Sequence, residues 1–279
     1  MAEREAELTK LSLNDAWNDT AAFVKREWRL LLPIALLLNA LPMAFAMAVL
    51  PQWSPERMPE PGLWLLAVPL AALVGIVGNV AISWLAMSPG RTVGEGLRRA
   101  FSRFLPLFAV YLIVGAGIFI LFVIVAVVAA LSIPGLVPQA PNTRALGGFA
   151  AILLVVMVPV LLYVSVRLML AAPVAAAEEG GPIAIMKRSF ALTRPVFWTL
   201  LGFLILITVL AWVIQTVAAM IIGIPILLLA GRPEESGISE VLILLIGSAV
   251  SSVLTVYITT MVARIYLRLS GRPNADVFT

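Results

Sequence analysis

Glu178–Trp198 reads EEGGPIAIMKRSFALTRPVFW, the only long cationic, amphipathic segment of the chain with membrane-length apolar runs on both sides. Taken as a helix, it starts after a Gly180-Gly181 turn. Pro182 falls at the first helical position, where its missing N–H costs nothing and its φ is already helical. Glu178 and Glu179 lie just before that start, where negative charge suits the exposed amides. Ile183, Met186 and Phe190 follow at i, i+3 and i+7 and predict one apolar stripe, with Lys187, Arg188 and Arg194 pointing elsewhere. Arg194-Pro195 ends the helix, because proline disfavours α geometry in the residue before it. Phe197 and Trp198 then open a new apolar run. A short basic amphipathic helix beside such a run reads as an interfacial helix at the level of the lipid headgroups.

The composition around this segment fixes the class. Of 279 residues, 62% are apolar and 12% charged, against roughly 45–50% and about a quarter in a soluble domain. The expectation is an all-α, polytopic six-helix transmembrane bundle, a single membrane domain over residues 1–279. The chain has no histidine and no cysteine. Disulfides, thiolate chemistry and histidine-based metal or acid–base sites are thereby excluded, and no cofactor or metal is expected. The net charge of +4 resides in basic residues at membrane boundaries, so nucleic acid is not an expected partner. The charged opening MAEREAELTK fits no cleavable signal peptide.

In chain order, residues 1–29 give a polar tail and a first interfacial candidate, in which Leu13, Trp17, Thr20, Val24 and Trp28 recur at helical spacing. Lys25, Arg26 and Arg29 stand at its membrane end. Spans are predicted at about 30–50, 63–87, 107–133, 149–170, 197–222 and 241–267, since about 20 residues of helix cross the hydrocarbon. Pro33 and Pro42 interrupt the first. The second carries Gly75, Gly78 and Asn79, suited to close helix contact. Interfacial helices are predicted at about 91–104 and 182–194, the former with Val93, Leu97, Ala100, Phe101 and Phe104 on one side and Arg98, Arg99 and Arg103 off it. Residues 51–62, with Trp53, and 134–148 are proline-rich loops. Arg167 closes the fourth span, where it can snorkel to the headgroups. Gly223 and Pro225 break or kink the helix after the fifth.

Lysine and arginine set the orientation. The N-terminal segment, the 88–106 loop, the 167–196 segment and the C-terminal tail hold 5, 4, 4 and 3 of them, whereas the opposite loops hold only Arg57, Arg144 and Arg232. This positive-inside asymmetry puts both termini in the cytoplasm of a bacterial inner membrane. The unit of basic helix, span, loop and span starts near residues 11, 91 and 182, and Phe23, Phe101 and Phe190 superpose within it. One reading is a threefold helix-hairpin repeat. The other is that any six-span chain with both ends inside has three hairpins and basic inner loops.

Two groups of residues are candidates for function. Glu178, Lys187, Arg188 and Ser189, with Arg98 and Arg99, form the densest polar cluster. They read either as a site for anionic headgroups at the inner leaflet or as topology-setting charge around a helix start. Within the spans, Asn39, Asn79 and Gln215, together with the hydroxyl face Ser248, Ser252, Thr255 and Thr259, read either as interhelical glue or as the lining of a polar path. No ionisable side chain falls mid-span, which argues against proton-coupled transport. No phosphate loop, paired carboxylate or nucleophile–base arrangement is visible, so catalysis is not expected.

Pro173, Glu178, Gly181-Pro182, Met186-Lys187-Arg188-Ser189, Leu192-Thr193 and Trp198 resemble the signature of the bacterial membrane-domain family of glycerophosphoryl diester phosphodiesterases, which includes YciC-like proteins. The opening LSLNDAWNDTAAFVKREWRLLLP is similar to that family's usual start. Ile185 departs from the pattern, which has alanine there. The resemblance implies a six-helix membrane module, sometimes fused to a phosphodiesterase domain, and supplies no catalytic or transport residue. The enzyme domain itself needs histidines that this chain lacks.

The functional expectation is a non-enzymatic, lipid-interacting, membrane-organising or partner-binding module whose partners are anionic membrane lipids and possibly a protein or a second copy. The alternatives are a transporter or channel for a small or amphiphilic solute, and an anchor subunit for a separate phosphodiesterase.

Overall fold

A computed structural model describes residues 13–50, 62–132, 143–226 and 238–271. These residues are helical apart from short turns, and six helices among them are long and apolar enough to cross a membrane. The loop predicted at 134–148 is helical from Thr143 onward; its residues 134–142, the loop around Trp53 and Arg57, Arg232, and the tails to residue 12 and from residue 272 lie outside the described residues.

The first helix, α1 (Leu13–Ala35), passes through one π-helical turn (Leu36–Ala40) into α2 (Leu41–Ala48). Next come α3 (Trp64–Met87) and α4 (Val93–Ser132). They are followed by α5 (Thr143–Leu168), α6 (Ala171–Ala177) and α7 (Pro182–Thr193). The helix α8 (Phe197–Ala218) ends in a second π turn (Ala219–Gly223), and α9 is Ile238–Ser270. Both π turns finish two residues before a proline, Pro42 and Pro225. A proline ring crowds the carbonyl four residues back and offers it no N–H, and a widened turn relieves that crowding.

Two expected boundaries are corrected. The first interfacial helix is not separate from its span, because α1 runs unbroken past Arg29. The change from polar to apolar side chains there is no backbone signal, and no glycine or proline precedes Pro33 in the helix. Likewise the predicted helix at 91–104 is the first part of α4, whose 40 residues continue through Pro106. One proline removes one hydrogen bond, too little to end so long an apolar helix. At about 60 Å, α4 is about twice as long as the hydrocarbon is thick. Its start is set by a capping box: the Thr92 hydroxyl accepts from the Glu95 amide (3.3 Å), and the Glu95 carboxylate accepts from the Thr92 amide (3.0 Å).

Only α7 stands apart as a short helix, and its buried face differs from the expected stripe. Ile185, Ser189, Leu192 and Thr193 are buried, Met186 and Phe190 are half-buried, and Ile183 is 63% exposed. The turn through Gly180 and Gly181 sets the rotation of α7 about its axis, and the periodicity alone does not encode it.

One main core unites α1, the late part of α3, the early part of α4, the end of α5, α6, α7, the start of α8 and the late part of α9. These segments alternate in chain direction, so they all lie at one end of the bundle, the base. Among the described residues, the far end has a small cluster of Ala46, Ala67 and Ala71.

Candidate functional site

At the base, α6 ends at Glu178, whose extended backbone turns the chain toward α7. Its Oε1 accepts from Arg188 Nε of α7 (3.1 Å) and from the Tyr266 hydroxyl of α9 (2.8 Å). Glu179 beside it meets Arg103 (3.3 Å) and Arg99 (3.9 Å) of α4, and Arg99 Nε also donates to the Ala176 carbonyl (2.9 Å). The two glutamates thus tie α4, α7 and α9 to the end of α6.

Ser189 is fully buried and its hydroxyl donates to the Arg167 carbonyl at 2.6 Å, so it faces protein rather than a headgroup. Arg167 does not snorkel outward. Its guanidinium lies against the rings of Tyr163, Phe197 and Phe190 at 5.1, 5.2 and 5.7 Å, and it donates to the Phe190 carbonyl. Arg264 packs over Phe23 at 4.7 Å, and Arg268 pairs with Asp19. Of the proposed headgroup ligands, Arg98 and Lys187 are exposed and form no ion pair with the described residues. Glu178, Arg188 and Arg99 are committed to one another's helices.

The intramembrane candidates converge. Asn39, Asn79, Gln215, Ser252 and Thr255 all line one cavity of about 670 Å³ between the first π turn and α2, α3, α8 and α9. Tyr111 of α4, Met43 and Met47 complete the wall with small residues such as Gly75 and Gly247, and among the described residues no charged side chain lines it. Met43, Met47 and Tyr111 are 40–45% exposed, which makes the cavity an open cleft rather than a sealed void. Beyond Asn79 and Thr255 the helices carry the fully packed Val80, Ala81 and Val256. The cleft therefore stops at the base and does not cross the bundle.

Part of the polar set binds the helices together. Gln215 Nε2 donates to Ser251 Oγ, Thr259 Oγ1 donates to Asn79 Oδ1 (3.4 Å), and Ser252 Oγ donates to the Ala35 carbonyl (3.5 Å). Asn39 lies flat across α3, and a Cβ added to Gly78 would come within 2.6 Å of its Nδ2 and 2.9 Å of Leu38 Cβ. Its Nδ2 is buried there with no hydrogen-bond partner. Asn79, Gln215 and Ser252 each make a contact between helices and also line the cavity.

Tyr111 and Tyr266 escaped the sequence reading. A lone phenol in an apolar run looks like any other core aromatic, and only the fold brings Tyr266 to Glu178 and Tyr111 to the cleft. No protein family, curated protein or solved structure matches the chain, so the geometry of the cleft and the base carries the functional argument.

Proposed function

We propose that this is a non-enzymatic, multi-pass protein of the bacterial inner membrane, with both termini cytoplasmic, that holds an amphiphile in its intramembrane cleft. The base is the cytoplasmic end in this reading, because the basic residues of α4, α7 and α9 gather there. The observation that carries the reading is the convergence of seven amide and aliphatic hydroxyl side chains on one open cavity with no charged residue in its wall among the described residues. Its volume lies within the range of about 300–1,000 Å³ typical of small-molecule sites. An uncharged wall in a low-dielectric setting favours a neutral head bearing hydroxyl or amide groups, since an unpaired buried ion is strongly disfavoured. Methionine and alanine along the rest of the wall suit an aliphatic chain.

A cleft closed at the base fits a site that holds an amphiphile better than a channel. The matching π turns before Pro42 and Pro225 support kinship between the first and third hairpins, and the resemblance to the phosphodiesterase membrane-domain family accords with lipid-linked work.

Native mass spectrometry of the protein released from its own membranes tests the proposal. A neutral amphiphile should remain bound to the wild type and be lost from Gly247→Leu. A Cβ at Gly247 meets nothing within 4 Å, so the leucine grows into the cleft without a clash at its root. Retention unchanged in Gly247→Leu, or no retained amphiphile at all, would overturn it.

A further inference from the structure

A second depression lies on the outside of the bundle. It holds about 560 Å³ between α1 and α9 and is lined by Ala21, Val24, Lys25, Trp28, Leu32, Val253, Val256 and Tyr257. Lys25 is the one charged residue of its lining, with Ala21 a turn of α1 toward the base and Leu32 and Val253 about 10 Å the other way. The rest of the lining is aliphatic or aromatic, with the Tyr257 hydroxyl and the Trp28 indole as its other polar groups. Trp28, half exposed at 50%, forms one wall, and the Arg29 guanidinium sits 5.8 Å from its ring.

The charges around the groove are unevenly matched. Arg26 pairs with Glu27, and Arg268 pairs with Asp19. Lys25 and Arg29 form no ion pair with the described residues. Two cations with no acidic partner among the described residues thus stand beside an apolar slot.

We propose that the groove between α1 and α9 is a specific site for an anionic phospholipid, its phosphate on Lys25 and Arg29 and one acyl chain beneath Trp28 toward Val253. The attraction of basic side chains for anionic lipid at a membrane surface supplies the selectivity, and burial of the chain supplies the residence time. This site is independent of the cleft: the two share no lining residue.

The test places the protein in nanodiscs of equal phosphatidylglycerol and phosphatidylcholine and counts the lipids it keeps on release into the mass spectrometer. Wild type should retain phosphatidylglycerol about tenfold or more over phosphatidylcholine, as expected for two basic contacts. Lys25→Glu combined with Arg29→Glu should bring that ratio to about one. Val253→Trp should fill the slot and remove the retained lipid of either kind, while Gly247→Leu leaves the ratio unchanged. Thermal unfolding in detergent identifies any variant that fails to fold, and Lys25→Gln with Arg29→Gln then replaces it. Inorganic phosphate at millimolar concentration should not displace the lipid. Equal retention of the two lipids by wild type, or a preference that survives charge reversal, would overturn the proposal.

Discussion

At the base, Glu178, Arg188 and Tyr266 close on one another and Glu179 gathers two arginines, whereas at the far end Asn39, Asn79 and Gln215 surround a cavity of about 670 Å³. The apolar windows of the first two spans are 33% buried within the protein, against 6% for the third and fourth. The bundle is therefore held firmly at one end and along one side, and the outer lengths of α4 and α5 stand free for lipid. The paired charges Glu178, Glu179, Arg99, Arg103 and Arg188 are found where short helices crowd together. Uncharged polar groups are found where the helices part, because an amide facing a cavity costs far less than an ion would. The difference assigns stability to the base and ligand capacity to the cleft.

The contrast can be tested at several strengths. Tyr266 is among the largest fully buried side chains, so Tyr266→Ala should cost about 3–5 kcal/mol, read as loss of thermal stability in detergent. If its loss were no more harmful than that of a cleft residue, the base would not be the organising end. Tyr266→Phe keeps the ring and removes the hydroxyl that donates to Glu178, at about 1.5–3 kcal/mol.

Gly78→Ala should cost about 1–3 kcal/mol through overpacking, because Leu38 Cβ cannot yield without moving its backbone; the same measurement reads it. Glu179→Ala removes contacts from a carboxylate that is 86% exposed and should change stability by about 0–1 kcal/mol. At the weak end, Gly247→Leu should alter stability within about 0.5 kcal/mol while abolishing retained amphiphile. A large loss of stability there would mean that the cleft is a structural joint.

Much of this arrangement was legible along the chain. The six apolar runs, the helix start at Pro182 and the small residues Gly75 and Gly78 follow from local rules of length, hydropathy and backbone freedom. So did the candidates Asn39, Asn79, Gln215, Ser252 and Thr255, because polar groups inside apolar runs are conspicuous wherever they fall. Helix continuity at Arg29 and Pro106 was misread, since a change in side-chain polarity and a single proline both resemble boundaries and neither breaks a long hydrogen-bonded helix.

The sequence by itself determined that the chain forms six membrane-length helices, with its cations grouped at alternate turns, because those properties reside in runs of consecutive residues. Only the tertiary structure decided that Ser189 is buried against Arg167, that Tyr266 meets Glu178 across 88 residues of chain, and that seven scattered amide and aliphatic hydroxyl side chains share one cleft. Those outcomes depend on the rotation and depth of each helix against its neighbours. Side chains far apart in the chain settle both together, and no local pattern records them.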